Sequence, residues 1–346
     1  GDCMSKLSTF PLTHAQKRMW YTEAIFPDTS LSNVAVKVTF DETINTSILE
    51  KSLQALVYSQ ETLRVQLSNR ETSEPVQYVV EYQPFTVRTV NKENANLTEI
   101  DNWLGEEILK PFKLYDTPLF EFTIVKMEKE HILLFIKFHH IIIDGISCAL
   151  AVDKIKDLYH KLSIDNLLLS ELNVESLGYL NTDKEYEGSK RYSKDRQFWH
   201  AEFKTIPDYV KEHTGNLYSS NTKAECIHYP ISNTLQLKIN EFCIKNNISE
   251  YTLFTSLLFL YLNRTKGYND IVIGTNYANR MPKEKELLGM FVSTTPFRMH
   301  IDPELDGISF INEVNKKQMR LLRHHKYPYN KLLSELRENN NDVNAL

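Results

Sequence analysis

The sequence predicts an α/β protein folded as two subdomains, and three observations predict it. The chain has 346 residues, room for about two units of roughly 150 residues, each able to bury its own core. Alternating strands and helices with three- and four-residue apolar spacing occur in both halves. The stretch Asp165 to Ser176 reads as a linker between them, which divides the chain into residues 1–175 and 176–346. With 42% hydrophobic and 25% charged residues and no low-complexity tract, neither half has the composition of a disordered segment.

The first element is a helix starting at Thr13. Thr13-His14-Ala15-Gln16 is a capping-box pattern, Pro11 lies just upstream, and Met19, Trp20 and Tyr21 continue the helix. Val34 to Phe40 alternates as a strand. Leu49, Leu53, Leu56 and Val57 share one face of a helix over Ser47–Ser59. Strands are expected at Val76–Tyr82, Leu119–Val125 and Ile132–His139, the last two joined by the polar turn Glu128-Lys129-Glu130. After Gly145 the spacing of Ile146, Ala149, Leu150, Ile155, Leu158 and Leu162 predicts a helix. A long charged helix is expected over Thr182–Phe203, with a solvated polar face and with Phe198, Trp199 and Phe203 packed in a core. The remaining elements are helices at Thr234–Asn246, Ser249–Asn263 and Ile308–Leu322, and strands at Asp270–Asn276 and Met290–Met299. Leu253–Leu262 is about half of a roughly 20-residue membrane span and predicts a buried helix instead. His324-His325 is expected to cap a helix end with a favourable dipole contact.

Several function classes are disfavoured. Lys+Arg 40 against Asp+Glu 45 gives a net charge of −5, without the basic footprint of a nucleic-acid binder. The 10 glycines form neither GxGxxG nor GxxxxGK[ST], which removes dinucleotide and P-loop phosphate sites. Cys3, Cys148, Cys226 and Cys243 show no CxxC spacing and fit a reducing cytoplasm. No basic region followed by an apolar run marks a secretory signal.

The stretch that carries chemistry is Phe135-Ile-Lys-Phe-His139-His140-Ile-Ile-Ile-Asp144-Gly145-Ile-Ser147. A strand ends in two histidines, and an Asp and a Gly follow just before a helix. Successive strand side chains point to opposite faces, so His139 and His140 are poorly placed to grip one metal ion, and no metal site is expected. Two readings stay open: a pair of satisfied core histidines, or an imidazole set at a strand end as general base or hydrogen-bond partner. In the second reading Asp144 holds the loop and Gly145 lets backbone approach a substrate closely.

These residues resemble the HHxxxDG motif of the condensation domains of nonribosomal peptide synthetases, relatives of chloramphenicol acetyltransferase. Other stretches are similar to further motifs of that family, in the same order. LTHAQKRMWYTE (Leu12 to Glu23) resembles the first, ETLRVQL (Glu61 to Leu67) the second, and IGTNYANR (Ile273 to Arg280) the fifth. GMFVSTTPFR (Gly289 to Arg298) resembles the sixth and HHKYPYNKLL (His324 to Leu333) the seventh. The resemblance covers essentially the whole chain. It implies an α/β sandwich of two acetyltransferase-like subdomains, arranged as a V around a central channel. It places His140 in the reaction channel, turns His139 inward as support, and pairs Asp144 with Arg280. A buried Asp beside an active imidazole needs a cation in any case, and this pair would tie the two subdomains together across the cleft. Paired in this way, Asp144 is not the expected base. Ser147 and Ser293 are expected at the channel wall.

The implied reaction is acyl transfer. An acyl thioester carried on phosphopantetheine is attacked by the amine of a carrier-bound aminoacyl thioester, and the oxyanion that develops needs hydrogen-bond donors. His140 would take the proton or position the amine. No cofactor is expected in the domain itself; the partners implied are carrier domains, a neighbouring adenylation domain and, as donor, acyl-CoA. The double histidine disfavours the heterocyclisation subtype, and Ile146-Ser147-Cys148-Ala149-Leu150 after the motif disfavours epimerisation. PLTHAQKRMWYTE, EYEGSKRYSKDRQFW, LGMFVSTTPFR and RHHKYPYN resemble the starter type of surfactin-like lipopeptide synthetases. That type attaches a β-hydroxy fatty acyl group from CoA to the first amino acid. The alternatives are a stand-alone CoA-dependent acyltransferase of the same fold and a non-catalytic carrier-docking module. Ser59 stands where the family's second motif has Arg, Ser293 where the sixth has Asn, and Tyr329 and Asn330 where the seventh has Phe and an acid. Family members run on past the seventh motif, so the second subdomain is expected to be incomplete at the polar tail Asn339–Leu346.

Overall fold

A computed structural model of the protein describes residues 7–69, 73–212 and 221–339. Cys3 and the polar tail beyond Asn339 lie outside the described residues. The chain forms two compact units, one running to Glu185 and including Arg280–Val292, the other comprising Tyr186–Asn279 and the chain from Ser293. The chain therefore passes between units three times, where the sequence reading expected one join.

The first unit contains β1 (Thr9–Pro11), α1 (His14–Ile25), β2 (Asn33–Thr39), α2 (Thr46–Ser59), β3 (Val65–Ser68), β4 (Val76–Val79), β5 (Arg88–Asn91), α3 (Leu97–Ile108), β6 (Phe120–Lys126), β7 (Ile132–His139) and α4 (Gly145–Ile164). The capping box at Thr13 forms as expected: Gln16 N–H donates to Thr13 Oγ1 at 3.1 Å, and Thr13 N–H donates to Gln16 Oε1 at 2.9 Å. One sheet has the order β2-β7-β6-β5, antiparallel except for the β5–β6 pair, and a second has the order β1-β4-β3. All eight residues of β7 are buried. Leu134, Ile136 and Phe138 join Leu49, Leu53 and Leu56 of α2 and Ala151 and Ile155 of α4 in one core. Leu133 and Phe135 pack on the opposite side with Ile100 and Leu104 of α3. A strand covered on both faces has no need of polar alternation, which is why the run before His139 is almost uniformly apolar.

Strands β1, β3 and β5 and helix α3 escaped the sequence reading. The strands are three or four residues long, too short for a period to show. Helix α3 did carry a signal, an Asn96–Glu99 capping box. Arg64, retained from the second motif, holds the C-terminal end of α2 through Nε to Val57 O at 3.1 Å and ties it to the residue after β4 through Nη1 to Val80 O at 2.8 Å. It satisfies a carbonyl that the helix leaves orphaned.

The chain leaves the first unit through α5 (Thr182–Glu187). The second unit contains α6 (Lys190–Glu202), α7 (Asp208–Glu212), α8 (Asn233–Asn246), α9 (Glu250–Lys266), β8 (Asp270–Tyr277), β9 (Ser293–His300), α10 (Gly307–His324) and α11 (Tyr329–Asn339). The helix expected over Thr182–Phe203 is broken, because Ser189 begins a new helix by accepting the Tyr192 N–H. Trp199 and Phe203 do sit in the core, beside Phe259, Ile271, Phe297 and Phe310. The expected strand Met290–Met299 begins only at Ser293, since Met290–Val292 belong to the first unit. Leu253 and Phe259 of α9 are buried, but Phe254, Leu257, Leu258 and Tyr261 are exposed. The apolar run is thus buried on one helical face only. Among the described residues no helix is long and apolar enough to cross a membrane.

Candidate active site

Strand β7 ends in His139 and His140 follows it directly, and the fold treats the two differently. His139 closes the strand opposite Asn33 of β2 and is buried. Its Nδ1 accepts the Ile141 N–H at 3.0 Å, so its ring proton resides on Nε2, 3.0 Å from Glu23 Oε1. The Phe112 ring packs against it edge-on, with centroids 6.2 Å apart. This ring is committed to holding the turn. His140 donates its backbone N–H to Ser32 O at 2.7 Å, and its side chain is only half-buried. Neither ring nitrogen of His140 bonds a described residue, and Nδ1 is buried in that state.

Three buried isoleucines, Ile141 to Ile143, carry the chain from His140 to Asp144. Asp144 caps α4 by accepting the Ser147 N–H on Oδ1 at 2.9 Å. The same oxygen accepts Arg280 Nη2 at 2.9 Å, and Oδ2 accepts the Phe291 N–H at 3.0 Å. Both members of the ion pair are buried, with side-chain exposures of 4% for Arg280 and 2% for Asp144. Arg280 also donates Nη1 to the carbonyls of Glu284 at 2.8 Å and Leu287 at 2.6 Å, and its guanidinium lies 4.3 Å above the Phe291 ring. The predicted Asp144–Arg280 pair therefore forms. However, residues 280–292 belong to the first unit, so the pair ties α4 to a returning segment of its own unit and does not tie two units together.

Ser147 and Ser293 do not sit as expected. Ser147 is fully buried. Its hydroxyl donates to Gly289 O at 2.9 Å and accepts Gly289 N–H at 3.0 Å and Arg280 Nη2 at 2.6 Å. Ser293 opens β9 at 2% exposure. Neither side chain is exposed: the Ser147 hydroxyl is consumed by the Asp144 clamp, and Ser293 is buried. Gly145 is the first residue of α4 and is exposed. Its φ is not positive, and a Cβ placed there would meet nothing within 4 Å. Among the described residues nothing requires glycine at this position.

Helix α1 holds the turn from the other side. Besides the Glu23 contact, Gln16 Nε2 donates to Ile141 O at 3.2 Å. Gln16 and Glu23 were missed as site residues, although a seven-residue spacing places them on one face of a helix. Cys148 is buried, and burial, then the Asp144 carboxylate, push its thiol up to about 12, which disfavours the thiolate. Among the described residues no cluster of His, Cys, Asp and Glu side chains could hold a metal ion.

The seventh-motif stretch belongs to the second unit and builds a separate polar cluster. His324 ends α10, stacks on Phe198 with centroids 4.1 Å apart, and bonds Asp195 Oδ1 through Nδ1 at 2.7 Å. Its carbonyl accepts Trp199 Nε1–H at 2.9 Å. Glu335 accepts Tyr327 O–H at 2.8 Å and contacts His200 Nε2 at 2.6 Å. Burial raises the Glu335 carboxyl, but its bonds to His200, Tyr327 and Arg196 outweigh this and hold it below the usual carboxylate range. Burial pushes His325 down, against its bond to the Leu322 carbonyl. Two stretches that were read as separate likenesses, around residues 185–199 and 324–333, are thus packed against each other.

Comparison with known proteins agrees with this geometry. The Condensation domain family profile matches residues 6–346. One of the plipastatin synthase subunits of Bacillus subtilis (strain 168) is 36% identical over 341 residues, 98% of this chain and 13% of that protein. Surfactin synthase subunit 1 of the same organism is 36% identical over 346 residues, 99% of this chain and 10% of that protein. The chain spans about a tenth of the length of these curated relatives. Among solved structures, the first condensation domain of the calcium-dependent antibiotic synthetase, in complex with a substrate analogue, superposes with a TM-score of 0.79 at 19% identity, covering 95% of this chain and 78% of that one. The starter condensation domain of rhizomide synthetase gives 0.72 at 19% identity, covering 95% and 76%.

Proposed function

The chain belongs to the condensation-domain family of nonribosomal peptide synthetases, and from that premise we propose that it forms an amide bond between an acyl thioester and the amine of a carrier-bound aminoacyl thioester. One observation carries this reading. Of the ionisable groups in HHIIIDG, His139 and Asp144 are consumed by the fold, and His140 alone keeps its ring nitrogens unengaged. In the proposed step the amine nitrogen attacks the thioester carbon, with its N–H accepted by His140 Nε2. The C–N bond forms, the C–S bond then breaks, and the thiol sulfur leaves with the proton. Asp144 and Arg280 touch no reactant; they hold α4 and the returning segment around the motif. The adenylation and carrier domains implied by this reaction are partners, supported by the multidomain length of the relatives.

We infer further that the acyl donor is a fatty acyl-CoA, as in a starter domain. Identity is 36% to surfactin synthase subunit 1 and to the plipastatin synthase chain compared above, but 24% to two other chains of plipastatin synthase. The rhizomide starter domain has also been solved in complex with C8-CoA. The test offers acyl-CoA donors of graded chain length, and separately acyl-carrier donors, to the full synthetase with its first carrier loaded. Mass spectrometry of that carrier should show N-acylated aminoacyl thioester from acyl-CoA alone. Acylation from the acyl-carrier donor alone would overturn the starter reading, and no amide from either donor would overturn the broader one.

Gly145 supplies an independent check. At a compatible φ, Gly→Ala stabilises by about 0.4–1 kcal/mol, so Gly145→Ala should melt at the same temperature or slightly higher. Amide formation should nevertheless fall roughly 10–100-fold, the range that a small misplacement of reacting groups costs. A variant with unchanged rate would show that Gly145 leaves room for nothing.

A further inference from the structure

Two buried polar atoms without partners belong to residues that a backbone hydrogen bond joins at the candidate site. Ser32 precedes β2, is 2% exposed, and its Oγ is buried without a hydrogen-bond partner. His140 Nδ1 is in the same condition. Their backbones are joined by the 2.7 Å bond from His140 N–H to Ser32 O. The β2–β7 register pairs Asn33 with His139, and one further step sets Ser32 opposite His140. Ser32 and His140 each lie one residue beyond the ends of β2 and β7, and the backbone bond between them continues the antiparallel pairing by that one step. From neighbouring backbones of this kind, a turn about the serine χ1, or one bridging water, would bring Oγ to Nδ1.

We propose that Ser32 is a positioning residue for His140: its hydroxyl is the Nδ1 partner and fixes the imidazole tautomer. A hydroxyl can accept as well as donate. When Oγ accepts Nδ1–H, the lone pair of the neutral ring resides on Nε2, where the attacking amine N–H needs an acceptor. Which ring nitrogen carries the proton is set by the bond that the other one makes. His139 illustrates the rule one residue earlier, since the Ile141 N–H on its Nδ1 leaves the proton on Nε2. The two neighbouring histidines would thus be held as opposite tautomers, one facing Glu23 with a proton, the other facing substrate with a lone pair.

This inference rests on the catalytic reading of His140, and its test separates the two. Ser32→Ala and Ser32→Thr are compared with wild type in the full synthetase by single-turnover amide formation, and on the present chain by ¹⁵N-histidine NMR, with the His140 signals assigned from a His140→Gln sample. Ser32→Ala should lower the maximal rate about 10-fold with half-saturating donor within about twofold, and should convert the Nδ1–H signal of His140 into a mixture of tautomers. Ser32→Thr, which keeps the hydroxyl, should retain both the rate and the tautomer. An idle hydroxyl predicts the opposite: removing an unpaired buried polar group leaves stability unchanged or raised, with rate and tautomer untouched, and that result would overturn the proposal. So would equal losses in the alanine and threonine variants, or a rate loss with an unchanged tautomer. If the wild-type synthetase makes no amide, the catalytic reading fails, and the tautomer shift alone decides the role of Ser32.

Discussion

Replacing His140 by alanine is expected to remove amide formation while sparing the fold. The expected loss is about 10²–10⁴-fold, the range for a positioned general acid–base residue. It is to be read by mass spectrometry of the downstream carrier in a full synthetase with loaded carriers. Carrier loading should be unchanged, because loading draws on other domains. The melting temperature should stay close to wild type for a structural reason: the His140 ring makes no hydrogen bond to the described chain, so apart from the proposed Ser32 contact the substitution breaks none. His139 is the internal contrast. Its ring is buried and makes two hydrogen bonds that set the turn, so His139→Ala should lose stability first and activity in consequence. Near wild-type product from His140→Ala would remove this residue from the chemistry.

The second large effect is on stability. Arg280→Ala leaves Asp144 buried with only the Ser147 and Phe291 amides as donors. It also abandons the carbonyls of Glu284 and Leu287 and uncovers the Phe291 ring. Breaking a buried pair by removing one partner costs about 3–5 kcal/mol, because the remaining charge is uncompensated. For a unit of this size that corresponds to a melting temperature lower by roughly 6–20 °C. Lysine should rescue little, since a point charge cannot reproduce a planar fork that reaches a carboxylate and two carbonyls together. Asp144→Asn in the Arg280→Ala background should recover part of the loss by removing the stranded charge. Calorimetry on the single and double variants checks this. A variant of normal stability that makes no amide would instead move Arg280 into the reaction itself.

Much of the site could be read from the sequence, and the reason is locality. A capping box spans four residues, and Thr13–Gln16 forms as its pattern predicts. Strand β7 and the start of α4 are set by apolar runs and by Asp144 acting on its own third neighbour. The break at Ser189 and the late start of β9 were missed because a charged helix and an apolar strand both read as continuous when only residue type is considered. Ser147 was misjudged for a different reason. A serine near a helix start looks available, and nothing nearby announces that Gly289, 142 residues later, will take its hydroxyl.

The HHIIIDG turn, the helix that follows it and the family to which both belong are written in the residues themselves, because caps, periodicity and motif spacing are interactions between near neighbours. Packing settles which histidine is spent and which is left unengaged. Glu23 reaches His139 from 116 residues away, and Arg280 reaches Asp144 from 136. Such contacts depend on how packed elements bring distant segments together, and no window of sequence contains both partners. The same holds for Ser32 and His140, joined by a backbone hydrogen bond between distant parts of the chain.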